Sequence, residues 1–150
     1  MRVHVIAVGR IKAGPLAALQ SLYAERITAP LAFHEIEERR KLPPPELKER
    51  EGELLLATLP LDAFVVALDR NGQALSSEAL AARFAQWRQE ADVAFIIGGA
   101  EGLSPAVLRR ARFVWSFGPA TWPHFLARGM LLEQLYRAQQ ILVGHPYHRA

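Results

Sequence analysis

The sequence contains no cysteine and no long hydrophobic run among its 150 residues. The absence of cysteine excludes disulfide bonds, thiolate metal ligands and a cysteine nucleophile, and it suits a reducing compartment. No apolar segment approaches the roughly 18 residues that are needed to cross a bilayer. Residues 1–10 are too short and too alternating in hydrophobicity to predict a signal peptide. We therefore expect a cytoplasmic protein that has no membrane partner.

Several motifs of common enzyme classes are also missing. The chain has no P-loop, no nucleophile elbow, no paired-carboxylate motif and no G-x-G-x-x-G dinucleotide fingerprint. Three histidines lie close together near the C-terminus, at positions 124, 145 and 148. No carboxylate or spacing around them supports a three-ligand site, so we expect no metal ion.

The composition is that of a globular protein. Hydrophobic residues make up 51% of the chain and charged residues 22%, which excludes a disordered or fibrous protein. The length is ordinary for one domain, and the sequence shows no internal repeat, low-complexity tract or linker. We therefore expect residues 1–150 to form a single domain.

Charge is distributed unevenly along the chain. Residues 1–101 carry 12 basic and 14 acidic side chains, whereas residues 102–150 carry six arginines and one acidic residue, Glu133. Fifteen of the 18 basic residues are arginine, whose guanidinium binds phosphate in a bidentate manner. The basic C-terminal third is a candidate surface for a polyanion such as RNA, although high arginine usage can also reflect genomic base composition.

Apolar runs alternate with helical patterns along the whole chain. Strands are predicted at residues 2–9, 31–36, 63–68, 93–97 and 113–117, and helices from Pro15, over 45–59, after Ser76 or Ser77, from Pro105 and over 123–142. Residues 70–73 are predicted to form a turn. This alternation predicts an α/β fold with a mostly parallel sheet flanked by helices.

Three predicted strand ends are candidate ligand sites, because ligands of open α/β sheets bind beyond the carboxyl ends of the strands. The first is Leu68-Asp69. The second, at residues 98–102, is glycine-rich and lets the backbone approach a ligand, although such a turn is more often a plain connection. The third, at 118–124, is stiffened by two prolines and suits a flat polar ring such as adenine. It too has an ordinary connection as its alternative.

The last predicted helix carries a charged pair on an otherwise leucine-rich surface. Glu133 and Arg137 are four residues apart, in the favourable order for an ion pair. A surface ion pair is the default interpretation, and a polar functional patch is the alternative.

A set of short motifs extends from one end of the chain to the other. These are Val5-Ile6-Ala7-Val8-Gly9, Lys48, Glu51-Gly52, Leu68-Asp69, Leu75-Ser76-Ser77-Glu78, Phe95-Ile96-Ile97-Gly98-Gly99, Glu101-Gly102-Leu103-Ser104, Thr121-Trp122-Pro123-His124, Glu133-Gln134-Leu135-Tyr136-Arg137-Ala138 and Pro146-Tyr147-His148-Arg149. In order, spacing and total length they resemble the RlmH-type methyltransferases of the SPOUT, or α/β-knot, superfamily. One such motif is weak evidence, but the complete set is highly specific.

The resemblance implies a fold that patterning alone does not predict. In this superfamily the C-terminal part threads through a loop and forms a deep trefoil knot, and knots are rare among folds. The resemblance also implies S-adenosylmethionine as the cofactor, bound in a bent shape. The implied cofactor-binding residues are Leu68, Gly98, Gly118, Pro119, Ala120, Thr121, Trp122 and Pro123.

The resemblance further implies methyl transfer to N3 of a pseudouridine in large-subunit (23S) ribosomal RNA, with the assembled ribosome as substrate. Arg137 and Arg128 are then candidates for stabilising negative charge on the ring, and Glu133 for orienting Arg137. His148 and His124 are candidates for orienting the base or accepting its proton. The implied RNA-binding residues are Tyr147, His148 and Arg149.

The resemblance implies a homodimer whose active site is shared between the two subunits. Two alternatives remain open on the sequence alone. One is a knotted ribosome-binding protein without catalysis. The other is a methyltransferase that acts on tRNA or a small molecule.

Overall fold

Five parallel strands and five helices make up the computed structural model, which describes residues 1–149. In chain order the elements are β1 (Val3–Val8), α1 (Pro15–Ala24), β2 (Leu31–Ile36), α2 (Pro44–Thr58), β3 (Phe64–Ala74), α3 (Ser77–Glu90), β4 (Val93–Ile97), α4 (Pro105–Arg110), β5 (Phe113–Ser116) and α5 (His124–Leu142). The sheet order is β2-β1-β4-β3-β5, and each neighbouring pair is parallel. The predicted α/β class with a parallel sheet is confirmed.

Both faces of the sheet are covered by helices, which explains why its inner strands are apolar throughout. On one face, Val5 and Phe95 pack with Leu131 of α5 and with side chains of α3. On the other face, Ile6 and Ile96 pack in the cluster that includes Leu55 of α2 and Val107 of α4. The strand ends are thereby held in fixed positions.

Helix starts follow the local signals in the sequence. The hydroxyl of Ser76, rather than that of Ser77, caps α3 by accepting from the amide of Ala79 at 3.0 Å. Ser104 caps α4 in the same way, accepting from the amide of Val107. These caps satisfy amides that the first turn of a helix leaves free. The predicted strand boundaries agree with the structure to within one residue, except that the strand predicted at 63–68 continues to Ala74.

The predicted turn at residues 70–73 is wrong as secondary structure. The strand β3 continues to Ala74, and both Leu68 and Gln73 pair with Trp115 of β5, so the residues between them bulge out of the ladder. Gly72 is needed there because a Cβ atom would lie 2.5 Å from the carbonyl oxygen of Val114. The Asn71-Gly72 pair, which is typical of a turn, lies in this bulge, and after it the chain pairs again with β5.

The strand order is compatible with the predicted trefoil knot, which itself stays a prediction. The predicted domain of residues 1–150 extends one residue beyond the described part of the chain, since Ala150 lies outside it. Among the described helices, none combines the length and the apolarity that a bilayer span requires.

Candidate active site

A cavity of about 750 Å³ lies at the carboxyl ends of β3, β4 and β5. The three strand ends predicted as ligand sites meet in it, as expected for a parallel sheet. Of the predicted cofactor-binding residues, the lining contains Leu68, Gly98, Gly118, Ala120, Thr121, Trp122 and Pro123. Pro119 lies within the same loop but outside the lining.

The loop after β5 is held by its own hydrogen bonds. The Ser116 hydroxyl accepts from the amide of Gly118 at 3.0 Å and lies 3.0 Å from the carbonyl oxygen of Arg70. The indole nitrogen of Trp122 donates to the carbonyl oxygen of Phe117 at 3.2 Å, while 43% of Trp122 stays exposed. Gly118 adopts a left-handed φ of 101°, and a Cβ there would meet no atom within 4 Å. The loop is therefore fixed in shape and open on the side of Gly118.

The glycine-rich turn after β4 packs too closely for larger residues. A Cβ atom on Gly98 would lie 2.9 Å from the backbone of Gly102, and one on Gly99 would lie 2.9 Å from a methyl group of Val8. Because the turn carries so little side-chain bulk, its backbone forms part of the cavity wall.

The buried carboxyl group of Glu51 packs against the glycine-rich turn after β4. Glu51 of α2 is only 7% exposed, and its oxygens lie 3.4 and 3.5 Å from the place where a Cβ of Gly99 would stand. One of these oxygens has no hydrogen-bond partner among the described residues. Burial, and then repulsion from Glu101, raise the pKa of Glu51.

Charged and polar side chains stand around the cavity between its apolar walls. Lys48, Asp69, Arg70, Glu101 and His124 all line it. Burial, and then the nearby charge of Arg128, lower the pKa of His124. Sequence reasoning missed Lys48 and Arg70 as lining residues; the only signal for Lys48 was its place in the motif set. A cavity of this size, with apolar walls and a few polar groups, fits a nucleoside-like ligand such as S-adenosylmethionine.

Arg128 is fully enclosed, with 1% of its surface exposed. Its guanidinium donates to the carbonyl oxygens of Gly9 at 2.7 Å and Val8 at 3.1 Å and pairs with Glu35. These bonds attach α5 to the ends of β1 and β2. Because its guanidinium is enclosed and bonded to these groups, the position of Arg128 favours a structural role over contact with a substrate.

The other C-terminal candidates form one connected cluster. The predicted ion pair is present, with Nε of Arg137 2.7 Å from Oε1 of Glu133. A second nitrogen of Arg137 lies 3.2 Å from Nδ1 of His148, and its guanidinium carbon lies 4.8 Å from the centre of the Tyr147 ring. Arg149 follows directly and is exposed.

Glu78 joins this cluster from α3 and was not predicted as a site residue. Its Oε1 atom lies 2.6 Å from Nε2 of His148, and this hydrogen bond lowers the pKa of Glu78. Tyr147 packs against Tyr136, with ring centres 4.7 Å apart. Burial, followed by a hydrogen bond with Tyr23, raises the pKa of Tyr147 to about 12. The tail is thus held by contacts on three helices.

The structure does not bring His124 to this cluster. His124 begins α5 and Arg137 lies 13 residues further along the same helix, which corresponds to about 20 Å at 1.5 Å per residue. A groove of about 670 Å³ lies between them. It shares Trp115, Phe117 and Gly118 with the cavity, and Glu133 and Tyr23 also line it. The groove therefore connects the loop after β5 with the C-terminal cluster around Arg137 and His148.

A parallel sheet with a nucleoside-sized cavity at its strand ends defines an α/β enzyme of the nucleotide-binding kind. Residues 1–148 match a family described as "Predicted SPOUT methyltransferase". The chain is 54% identical to the ribosomal RNA large subunit methyltransferase H of Rhodospirillum centenum, with 100% of each chain covered. It is 52% identical to the protein of that name from Paramagnetospirillum magneticum, with 99% of each chain covered. The chain belongs to the SPOUT methyltransferase family.

Solved structures share the fold at low sequence identity. A probable methylase family protein from Haemophilus influenzae superimposes with a TM-score of 0.57 at 10% identity, covering 99% of this chain and 70% of that one. A structure from work on 2-OH methylation of C/U34 on tRNA gives a TM-score of 0.54 at 20% identity, covering 93% and 91%. At these identities the likeness concerns the fold alone.

Proposed function

We propose that the protein is an S-adenosylmethionine-dependent methyltransferase of 23S ribosomal RNA that methylates N3 of a pseudouridine. The observation that carries this proposal is the 54% identity, over the full length of both chains, to a relative named ribosomal RNA large subunit methyltransferase H. The convergence of three strand ends on one cavity supports it independently. The assembled ribosome as substrate, and hence the cytoplasm as location, follow from the same resemblance.

The cavity supplies the residues that would hold the cofactor. S-adenosylmethionine carries a methyl group on a positively charged sulfur, from which a nucleophile can take it. The fixed loop 118–123 would enclose the adenine ring, with Trp122 at its rim, and Leu68 and Gly98 would complete the wall. The lining carries two carboxylates, Asp69 and Glu101, and two cations, Lys48 and Arg70, which would suit a ligand with groups of both charges, such as the sulfonium, ammonium and carboxylate of this cofactor.

The reaction needs a proton acceptor and a stabiliser of negative charge. N3 of the base loses its proton and forms a bond to the methyl carbon as the sulfur–carbon bond breaks, leaving a neutral thioether. Arg137, held in place by Glu133 and His148, would stabilise the negative charge that develops on the ring. His148 and His124 are the candidate proton acceptors, and His148 would have to part from Arg137 or Glu78 before it accepts a proton, since each of its ring nitrogens has one of them as partner. The lowered pKa of His124 keeps its imidazole neutral near pH 7.

The substrate base would enter through the groove beside Gly118. This groove is continuous with the cavity, so a base within it would lie beside the methyl donor, and in the homodimer proposed below the C-terminal cluster of the partner subunit would face it. Tyr147, His148 and Arg149 would contact the RNA, with Tyr147 able to stack on a base.

We further propose a homodimer in which the tail of one subunit completes the active site of the other. Apolar side chains are exposed on α1 and at the end of α5, including Leu16, Leu22 and Leu142, and Val143 is 72% exposed. Their burial against a second copy would remove this apolar surface from water. The separation of about 20 Å between His124 and Arg137 along α5 also favours a partner subunit as the source of the tail.

Mass spectrometry of 23S ribosomal RNA from a deletion strain tests the proposed activity. One methyl group should disappear from one pseudouridine, and expression of the wild-type protein should restore it. Unchanged methylation would overturn the proposal. If purified protein methylates tRNA and not ribosomes, the tRNA alternative is correct. If it binds S-adenosylmethionine poorly in calorimetry and Trp122 gains no protection, the non-catalytic alternative is favoured.

A further inference from the structure

Four arginines lie close to the start of β5, three because they precede it by one to four residues and one because it packs on Phe113. Arg109 and Arg110 end α4, Arg112 immediately precedes β5, and Arg83 reaches the start of β5 from α3. We call these four residues the arginine corner. Arg109, Arg110 and Arg112 are exposed and Arg83 is half-buried.

Aromatic rings hold two of these guanidinium groups in place. The guanidinium carbon of Arg83 lies 4.6 Å from the ring centre of Phe113, and that of Arg112 lies 5.3 Å from the ring centre of Phe64. Both rings contact Trp87, at centroid distances of 5.4 and 5.2 Å. Packing against these rings restricts the arginine side chains and leaves their N–H groups free to donate. Two neighbouring arginines are therefore partly ordered before any ligand binds.

The corner also lacks the acidic partners that other arginines of this chain have. Within the described residues, carboxylates lie within ion-pair distance of Arg10, Arg39, Arg40, Arg50, Arg128 and Arg137. No such pair involves a residue of the arginine corner. Asp92, which immediately precedes β4, is hydrogen-bonded to the imidazole of His4 and to the amide of Arg2. Among the described contacts, the four guanidinium groups of the corner therefore have no carboxylate within ion-pair distance.

We propose that the arginine corner binds backbone phosphates of a second ribosomal RNA segment, apart from the segment that carries the target base. This inference rests on the proposed function, since it assigns an additional contact to the same substrate. The strand β5 is four residues long, so roughly 13 Å of strand separates its start, where the corner lies, from the loop 118–123 that follows it. That distance requires phosphates other than those next to the base. The contact is electrostatic and independent of sequence.

The salt dependence of binding tests the proposal. The double variant Arg109→Gln/Arg112→Gln should bind protein-free 23S ribosomal RNA more weakly than wild type. If each arginine neutralises one phosphate, the slope of log K against log salt concentration should become shallower by about 1.4 to 1.8. The KM for ribosomes should rise while kcat and the affinity for S-adenosylmethionine stay unchanged, because none of the four arginines lines the cavity.

A matched control and a second variant exclude misfolding. Arg39→Gln/Arg40→Gln also removes two exposed arginines, but these are already paired with Glu37 and Glu38, so its slope should match the wild type. Arg109→Gln/Arg110→Gln changes only the exposed end of α4 and should reproduce the shallower slope.

Three outcomes overturn the inference or separate it from the proposed function. An unchanged slope and unchanged affinity in both corner variants would overturn the RNA contact. If the corner variants bind intact ribosomal subunits more weakly but bind protein-free RNA normally, the corner contacts an acidic surface of a ribosomal protein, and the proposed RNA contact is wrong. If the wild-type protein does not methylate ribosomal RNA, the proposed function is wrong. The salt dependence of RNA binding would still show whether the arginine corner contacts RNA.

Discussion

The imidazole of His148 lies 2.6 Å from the carboxylate of Glu78, and this contact joins the C-terminal tail to the first turn of α3 in the same chain. The other ring nitrogen of His148 faces Arg137, which is paired with Glu133. The four side chains therefore form one chain of polar contacts between two helices and the tail. Groups in such a network support one another's positions, so the position of Arg137 depends on a residue of α3.

Replacement of Glu78 should release the tail without unfolding the protein. In Glu78→Gln the charge that faces His148 is removed, so hydrogen exchange at residues 145–149 should become faster at pH 7. Glu53→Gln, which removes an exposed carboxylate paired with Arg50, should leave this exchange unchanged. Equal exchange in the two variants would mean that the aromatic contacts of Tyr147 hold the tail alone.

The same contact predicts a pH dependence. The hydrogen bond to His148 lowers the pKa of Glu78 below its ordinary value of 4.5. The stabilisation of the tail is therefore complete above pH 4.5 and is lost as the pH falls through the lowered pKa. The protection factor of the wild-type tail, which corrects the observed exchange rate for the intrinsic rate at each pH, should fall only in acid, whereas in Glu78→Gln it should be low throughout. A wild-type profile without this acid limb would contradict the assignment.

Loss of Arg137 should reduce methylation far more than cofactor binding. In Arg137→Ala the group proposed to stabilise negative charge on the base is missing, so kcat should fall by roughly 10²-fold or more. Calorimetry should give an unchanged affinity for S-adenosylmethionine, because Arg137 does not line the cavity. A normal methylation rate would remove this residue from the proposed mechanism.

A mixture of two inactive variants tests whether the active site is shared. Gly98→Ala places a Cβ atom 2.9 Å from the Gly102 backbone and should abolish cofactor binding, whereas Arg137→Ala lacks the tail-side cation. If each site uses the cavity of one subunit and Arg137 of the other, mixed dimers contain one intact site. Random co-assembly should then restore about a quarter of wild-type activity. No recovery in dimers shown to be mixed would place both groups in one subunit.

Local signals explain how much of the fold and site the sequence could predict. The apolar runs that lead to Leu68 in β3 and to Gly98 after β4 are nearly continuous, and parallel strands bring their carboxyl ends to one edge. The cavity formed by the three strand ends could therefore be predicted without knowing any long-range contact.

What the sequence did not predict depends on residues far apart in the chain. Glu78 and His148 are separated by 70 residues, and Glu35 and Arg128 by 93. No sequence spacing indicates that either pair is in contact. The role of Glu78 therefore could not be predicted from the sequence, and neither could the burial of Arg128, which the sequence presents as a candidate catalytic residue. The bulge before Gln73 likewise depends on which residue of β5 it meets.

Glu51 should destabilise the fold as the pH rises. Burial raises the pKa of Glu51 above its ordinary value of 4.5, so the folded state favours the neutral acid. The resulting stabilisation is complete at low pH and is lost as the pH increases through the raised pKa. In Glu51→Gln, which stays neutral, urea unfolding should show a smaller loss of stability between pH 5 and pH 8. Glu53→Gln, two residues along α2 and exposed, should retain the wild-type dependence.

Arg128 should prove to be a structural residue. In Arg128→Met the carbonyl oxygens of Val8 and Gly9 lose this donor, and the carboxylate of Glu35 loses its ion pair and keeps the amide of Ile11. The unfolding free energy in urea should fall by about 3 kcal/mol, the low end for a broken buried ion pair, because Glu35 retains some contact with water. Adding Glu35→Gln should recover part of that loss, as expected for groups that interact directly. A stable Arg128→Met variant that bound S-adenosylmethionine normally but had lost methylation would instead return Arg128 to the catalytic machinery.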